Sequence, residues 1–229
     1  MQQDAQPRVT DGVFFLRPAP LPRGRHELSR ADVSGAHRER LMIAATELMS
    51  AQGPAAVGVR EICGRAATSR TAFYECFTDK EACFSSAYER FIDVLITRLG
   101  ARASGASTWN GHVEQLALGY LETLAADTVT ARAFLVEMDG VGADARKRRR
   151  ESLRRVALFI RKAHMSYTDQ PEHVAPLEEY LGMIYAVRQL ACDRLDTDGD
   201  PDLLALAPKL ATWFEHLWPV ASVDGLRKP

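Results

Sequence analysis

Three kinds of signal in the 229 residues agree on an all-α protein. Apolar residues recur every three or four positions from Ser34 onward, which is the spacing of one face of a helix. Stretches that alternate apolar and polar residues are too brief to predict a strand. Helix start and stop signals divide the chain into about nine helices. We therefore expect a small N-terminal helical domain followed by a larger helical domain.

Residues 1–35 show no helical periodicity and contain the proline-rich stretch PAPLPRGR. Such a segment predicts a flexible N-terminal arm. Arg17, Arg23, Arg25 and Arg30 make this arm cationic. It either follows the minor groove of DNA or is a solvated tail.

The first three helices are short and close together. The first is predicted over about 37–52 and ends at the Gly53-Pro54 pair, the second over 59–66, and Ser69 or Thr68 caps the third. Two short helices joined by a four-residue link are typical of a helix-turn-helix, whose last helix enters the major groove. Residues 36–82 are therefore predicted to form a DNA-binding domain.

The stretch TSRTAFYECFTDK, residues 68–80, contains the third helix. Phe73 and Phe77 lie four positions apart and share its buried side. Arg70, Thr71, Tyr74 and Glu75 are then left on the outward side. Arg70 is suited to a guanine edge. Glu75 either accepts a hydrogen bond from a cytosine amino group or pairs with a neighbouring arginine.

The fourth helix is predicted to begin with Thr78 as its cap and Glu81 completing a capping box. Lys80 then lies in the first turn, where the positive end of the helix dipole makes a cation unfavourable. A phosphate group bound by Lys80 and the backbone amides would relieve this.

Further helices are predicted over about 109–125, 129–139, 143–166, 174–195 and 202–218. Residues 83–229 therefore form the larger domain.

Composition limits the function classes. Lysine and arginine number 29 against 30 acidic residues, so a basic surface must be local. No apolar run is long enough to span a membrane. Four cysteines without paired spacing (Cys63, Cys76, Cys83 and Cys192) are typical of free thiols in a reducing compartment. These features predict a cytoplasmic protein.

Two segments carry a family resemblance: HRERLMIAATELMSAQG and VREICGRAATSRTAFYECFTDKEACFSSAYE. They resemble the N-terminal domain of TetR/AcrR-type bacterial transcription regulators, across about 36–90. The preceding PRGRHELSRADV is similar to the arm of some actinobacterial members.

The resemblance implies a homodimer that binds a palindromic operator, usually as a repressor, and is released by a small-molecule ligand. Carried over by position, it implies a DNA-binding set: Arg60, Thr68, Ser69, Arg70, Thr71, Tyr74 and Lys80, with Arg25 from the arm. Gly58, Ala67 and Ala72 depart from the family pattern and put the base-reading assignment in doubt.

The last two predicted helices have wide apolar stripes. Their members are Leu177, Leu181, Ile184, Val187 and Ala191, then Leu203, Leu206, Leu210, Trp213, Phe214 and Leu217. One side of each helix can face the core and the other a twofold mate, which predicts a homodimer through these helices. Burial within one chain is the alternative.

A hydrophobic or amphipathic effector needs a cavity in the larger domain. The resemblance implies that bulky residues on the surrounding helices line it: Phe91, Tyr120, Phe134, Met138, Phe159 and Met183. Each of these side chains is alternatively a plain core residue.

The remaining motifs argue against other chemistry. RKRRRESLRR is either a second nucleic-acid patch or the solvated side of a helix. DTDGDPD lacks the glycine and glutamate of a calcium loop, and the histidines do not cluster with cysteines. No phosphate-binding loop or nucleophile motif is present. We therefore predict no enzyme activity, cofactor or metal. Two alternatives stay open: an all-helical enzyme or small-molecule carrier, and a thiol-based redox regulator using Cys76 and Cys83.

Overall fold

The computed structural model describes residues 6–19, 29–168, 174–197 and 201–217. Within these ranges it contains nine α-helices, and the all-α prediction is confirmed. The helices are α1 (Arg30–Ala56), α2 (Val59–Ala66), α3 (Arg70–Cys76), α4 (Lys80–Ala103), α5 (Trp109–Ala126), α6 (Thr128–Leu135), α7 (Ala143–Met165), α8 (Leu177–Thr197) and α9 (Ala207–Leu217). Short 3-10 helices occupy Glu137–Gly140 and Leu204–Leu206.

Helix α1 begins earlier than the sequence predicted. Ser29 caps it: its hydroxyl accepts a hydrogen bond from the Asp32 amide, and the Asp32 carboxylate accepts one from the Ser29 amide. This reciprocal pair satisfies two amides that a helix start leaves unpaired. Gly53, with φ of 74°, interrupts the regular geometry at the position where the sequence predicted the helix to end.

The predicted cap of α4 was wrong by one residue. Asp79, rather than Thr78, is the N-cap, and its carboxylate accepts a hydrogen bond of 2.7 Å from the Ala82 amide. The Thr78 hydroxyl donates to the other Asp79 oxygen. A carboxylate at the cap also favours the positive end of the helix dipole.

Two predicted helices in the larger domain are each divided. The helix expected over 129–139 is α6 followed by the 3-10 turn Glu137–Gly140, and the one expected over 202–218 is the turn Leu204–Leu206 followed by α9. Pro208 lies in the first turn of α9, where its missing amide has no helical partner to lose. A new helix can therefore start there.

Helix α4 is the central element of the core. It packs against α1, α5 and α7, while α8 packs on α6 and α7, and α9 on α5. Its N-terminal end bonds the end of α1 through Lys80, and its middle contributes buried Tyr88 and Phe91 to the larger domain. A displacement of α4 would therefore be felt in both domains.

Residues 6–19 form an ordered segment, which we call the N-terminal strap. Phe14 and Phe15 are buried, and the Phe14 ring lies 4.9 Å from the ring of Phe91. Arg98 donates hydrogen bonds of 3.0 Å to the carbonyl oxygens of Gly12 and Val13. The expectation of a flexible arm over 1–35 therefore fails for the strap, because two adjacent phenylalanines have more apolar surface than a solvated tail can leave in water. Residues 1–5 and 20–28 lie outside the described ranges.

No helix in the part of the chain that the structure describes has the length and apolar character needed to cross a bilayer.

A histidine cluster joins α5 to α7. His164 stacks on Trp109 with ring centroids 3.9 Å apart, and His112 bonds the Ala103 carbonyl oxygen and the Tyr167 hydroxyl through Nδ1. Burial lowers the pKa of both imidazoles from their ordinary value of 6.5. Both rings are therefore neutral in the folded protein at pH 7.

This cluster predicts a loss of stability in mild acid. As the pH falls below about 6.5, the unfolded histidines bind protons first, so the free energy of unfolding decreases until the folded rings also protonate. We expect urea denaturation at pH 7.5 and 5.5 to show this decrease in the wild type and a smaller one in His164→Gln. Replacement of the exposed His216 by glutamine serves as the control and should leave the decrease unchanged. An equal decrease in all three proteins would contradict the prediction.

Candidate nucleic-acid interface and ligand cavity

Helix α3 presents one polar face outward. Phe73 is fully buried and Phe77 is nearly so, whereas the Tyr74 side chain is 53% exposed. Arg70 and Thr71 are also exposed. The buried ring of Phe73 supports Tyr74 edge-on, with centroids 5.4 Å apart. The structure thus brings the predicted outward residues together on one rigid surface.

Thr68 and Ser69 serve the backbone of the turn. The Thr68 hydroxyl donates to the Ala66 carbonyl oxygen, and the Ser69 hydroxyl accepts a hydrogen bond of 3.1 Å from the Ala72 amide as the cap of α3. Ala67 has φ of 50° and ψ of 46°, a left-handed conformation that costs an L-residue about 1–2 kcal/mol. The turn therefore tolerates alanine in a position that suits glycine.

Arg60 lies in the first turn of α2 with a side chain 90% exposed. Its guanidinium contacts Glu61 at 3.0 Å, and the backbone amide of Glu61, followed by Arg60, lowers the pKa of that carboxyl. Glu61 is therefore ionised and competes with any phosphate for Arg60. Gly58, the N-cap, provides no side-chain hydrogen bond.

Lys80 makes hydrogen bonds within the protein that the sequence did not predict. Its ammonium group donates hydrogen bonds of 3.1 and 2.9 Å to the carbonyl oxygens of Pro54 and Val57. These carbonyls lie at the end of α1, where a helix leaves acceptors without partners. The contact ties the start of α4 to the end of α1, and the predicted phosphate contact would add to it.

Of the arginines in the predicted arm, one contacts the protein and another lies outside the described residues. Arg17 bonds Glu47 at 3.1 Å on the protein, while Arg25 lies outside the described residues. Glu75 is exposed and has no ion pair in the described part of the chain, so the pairing expected with an arginine is not seen. A minor-groove role for Arg25 stays a prediction.

An apolar cavity of about 90 Å³ lies in the larger domain between α4, α5, α7, α8 and α9. Four of the six predicted ligand-binding residues line it: Phe91, Tyr120, Phe134 and Met183. The other two, Met138 and Phe159, do not. Met138 is fully buried in the turn after α6, and Phe159 packs against Gly100. Helical spacing alone did not distinguish the residues that line the cavity from the core residues around them.

The wall of the cavity includes one charged residue that the sequence analysis missed. Arg188 of α8 is 8% exposed, and its Nη2 donates a hydrogen bond of 2.6 Å to the Leu135 carbonyl oxygen. The available signal was an arginine next to the inward positions Ile184, Val187 and Ala191.

The apolar stripes of the last two helices face mainly inward. Val187, Ala191, Leu203, Leu206, Leu210 and Phe214 are buried within the chain. Other large apolar residues are exposed on these elements: Tyr185, Leu190, Leu204 and Leu217. The candidate surface for a partner therefore consists of these four exposed residues, of which only Leu217 belonged to the predicted stripes.

The arginine-rich run in α7 is engaged within the chain. Arg148 pairs with Glu89 at 2.7 Å and Arg155 with Asp93 at 2.9 Å, and both carboxylates belong to α4. Arg149 contacts Asp139 at 3.1 Å. These pairs favour the interpretation of a solvated helix side held to α4 over a second nucleic-acid patch.

The thiols give little support to a redox switch. Cys83 is fully buried, and burial raises its pKa, which disfavours the reactive thiolate. Cys76 is half-buried, with its sulfur 3.8 Å from the Ser34 carbonyl oxygen. Among the described residues no group of histidine, cysteine and acidic side chains could hold a metal ion.

Comparison with known proteins assigns the N-terminal helices. The sequence profile of the bacterial regulatory proteins of the tetR family matches residues 41–87, which cover most of α1, all of α2 and α3, and the start of α4. This N-terminal part of the chain belongs to the TetR type. The helix-turn-helix of α2 and α3 is therefore a TetR-type DNA-binding element. A comparison with curated protein sequences found no match.

Solved structures of other regulators share the fold over most of this chain. The fatty acid degradation regulator FadR from Bacillus halodurans superposes with a TM-score of 0.69 at 16% identity, over 84% of this chain and 97% of that one. FadR from Bacillus subtilis, solved in complex with stearoyl-CoA, gives 0.67 at 18% identity, over 76% and 95%. NalD, the secondary repressor of the MexAB-OprM efflux pump in Pseudomonas aeruginosa, gives 0.63 at 17% identity, over 80% and 96%. These TM-scores establish a common fold despite the low identities.

Proposed function

We propose that this chain is a ligand-responsive transcriptional repressor that binds a twofold-symmetric operator as a homodimer. The observation that carries the proposal is the exposed face of Arg70, Thr71 and Tyr74 on a helix anchored from within by Phe73. We retain residues 36–82 as the DNA-binding domain and 83–229 as the ligand-binding and dimerisation domain.

In the proposed complex, α3 enters the major groove. Arg70 donates two hydrogen bonds to a guanine edge, a contact that discriminates bases by about 1–3 kcal/mol. Arg60 and the Tyr74 hydroxyl contact phosphates, which fix the position of the domain without reading sequence. Thr71 faces the base edges beside Arg70.

The proposed dimer joins α8 and α9 of two chains. Exposed Tyr185, Leu190 and Leu217 supply apolar surface on these helices. A twofold mate would present a second α3, and the two recognition helices must lie about 34–36 Å apart to reach successive major grooves.

Release from DNA is proposed to act through α4. The middle of this helix lines the cavity with Phe91 and Leu95, while Lys80 at its start bonds the end of α1. A ligand that favours a displaced α4 would pull on the DNA-binding domain and change the separation of the recognition helices. Equal separations in ligand-free and ligand-bound crystals would refute this mechanism.

The proposed effector is hydrophobic or amphipathic. The cavity wall is almost entirely apolar, which favours an apolar body. The stearoyl-CoA in the Bacillus subtilis FadR structure shows that a chain of this fold can bind such a molecule.

Footprinting on the DNA beside the gene for this protein tests the proposal. We expect a protected, twofold-symmetric site whose affinity falls between two salt concentrations, because binding releases counterions from phosphates. Equal, weak binding to all DNA would refute specific recognition there. A helical carrier or enzyme acting through the cavity would then become the better explanation.

Replacement of Arg70 by alanine should weaken binding to the footprinted site by about 1–3 kcal/mol for each subunit. Fluorescence anisotropy with the operator and with unrelated DNA measures the loss, which should be larger on the operator. Arg150→Ala, on the exposed side of α7, is the matched control. Lys80 is a poorer test because its replacement also removes the hydrogen bonds to α1. An unchanged operator affinity in Arg70→Ala would remove α3 from the interface.

A further inference from the structure

The charge of Arg188 is the unexplained feature of the cavity. Its guanidinium is buried among apolar lining residues and has one protein hydrogen bond, to the Leu135 carbonyl oxygen. In the described ranges, no carboxylate forms an ion pair with it. The carboxylate of Asp139 contacts Arg149 at 3.1 Å and forms no ion pair with Arg188. Among the residues that the structure describes, Arg188 therefore has no counter-ion.

This arrangement is costly for a structural residue alone. A buried charge is strongly disfavoured unless it is paired and hydrogen-bonded. Leu135 is the last residue of α6, so its carbonyl provides the negative end of a helix dipole. That end is equivalent to about half an elementary charge, which leaves part of the positive charge uncompensated.

Two tyrosines lie within the electrostatic reach of Arg188. Burial raises the pKa of Tyr88 and of Tyr120, and the positive charge of Arg188 opposes the rise in both. Both side chains line the cavity, and the Tyr88 hydroxyl also bonds Ser152. The cavity wall thus combines a guanidinium with two phenol groups, while its other lining residues are apolar.

We propose that this polar part of the cavity wall binds the oxyanion headgroup of an amphipathic ligand, a carboxylate or a phosphate carried on an apolar body. Arg188 donates charged hydrogen bonds to the headgroup, and the Tyr120 hydroxyl donates another. The apolar body extends along Leu95 and Leu116. The inference deepens the proposed function, because it assigns the chemistry of the effector in the same cavity.

The geometry favours an anion over a neutral or cationic headgroup for a physical reason. Arginine has five N–H donors and no acceptor, and its planar fork matches two oxygens of a carboxylate or phosphate. An alcohol can accept a hydrogen bond but leaves the positive charge without a counter-charge, and an amine would add a second positive charge. Headgroup charge should therefore control affinity at constant chain length.

The experiment compares straight-chain ligands of six to twelve carbons with four headgroups: carboxylate, phosphate, alcohol and amine. Isothermal titration of the full chain, below the micelle concentration of each ligand, gives the affinities. Because a hydrogen bond to a charged group is stronger than one to a neutral group, we expect the anion to bind at least about tenfold more tightly than the alcohol of the same length. Whether the carboxylate or the phosphate series binds more tightly identifies the headgroup.

Arg188→Met should abolish this preference while the alcohol still binds, because methionine keeps an apolar side chain of similar length. Arg150→Met, exposed on α7, removes the same formal charge away from the cavity and should retain the preference. Should Arg188→Met fail to fold, Tyr120→Phe provides the second variant, with a reduced preference for the anion. Circular dichroism establishes that each variant is folded.

Three results would overturn the proposal: equal affinities of the wild type for anion and alcohol, a preference that survives in folded Arg188→Met, or no binding by any member of the series. These measurements contain no DNA. Absence of a protected site in the footprint would therefore count against the repressor proposal and leave the ligand inference unaffected. Absence of anion binding in the titration would count against the ligand inference and leave the repressor proposal unaffected.

Discussion

Replacement of Phe15 by alanine is expected to lower the free energy of unfolding by about 3–5 kcal/mol, the usual range for removing a buried aromatic side chain. Phe15 is 1% exposed, although it belongs to the strap, which the sequence predicted to be part of a flexible arm. The loss combines the apolar surface of the ring with the void left under the strap. Urea denaturation at pH 7.5 measures it.

The neighbouring residue provides the control. Leu16 is 70% exposed, so Leu16→Ala should change the free energy of unfolding by no more than about 0.5 kcal/mol. Similar, small effects of both substitutions would mean that the strap does not pack against the core in solution.

Replacement of Glu47 by alanine is expected to cost about 3 kcal/mol or more. The Glu47 carboxylate is 4% exposed and contacts Arg65 at 2.7 Å, Arg17 at 3.1 Å and the Val9 amide at 3.1 Å. Removing one member of a buried ion pair leaves the other uncompensated, which typically costs about 3–5 kcal/mol. Arg17 is half-exposed and recovers water, so the lower end of that range is expected.

An exposed ion pair of similar length serves as a control that distinguishes the effect of burial from the effect of charge. Glu122 contacts Arg102 at 2.7 Å, but both side chains are more than a third exposed. Glu122→Ala should therefore cost about 0–1 kcal/mol. We expect chemical denaturation to give a much lower free energy of unfolding for Glu47→Ala than for Glu122→Ala. Equal losses of unfolding free energy in the two variants would show that the ion pairs of Glu47 contribute little to stability.

Features determined by neighbouring residues could be predicted from the sequence. The burial of Phe73 and Phe77, and the outward position of Tyr74, follow from helical spacing within α3. The bounds of α2 follow equally from local signals. Tertiary contacts could not be predicted in this way. Lys80 shows the difference, because its acceptors, Pro54 and Val57, lie in a separate part of the sequence.

The strap and the cavity show the same limit. Residues 13–16 are apolar, but the prediction of a flexible arm rested on the prolines and the missing helical periodicity of residues 1–35. Phe91 and Met138 have similar helical contexts, yet only Phe91 reaches the cavity. Which bulky residue lines a space depends on how several helices pack, and one sequence does not contain that information in its periodicity.

The N-terminal strap also constrains the order of events during synthesis. Its residues leave the ribosome before their partners Glu47, Phe91 and Arg98 are made. Since chains begin to fold from the N-terminus as they emerge, the strap must wait undocked until α4 is complete. During that interval Phe14 and Phe15 form an exposed apolar pair on the nascent chain, available to a chaperone before they are available to the core.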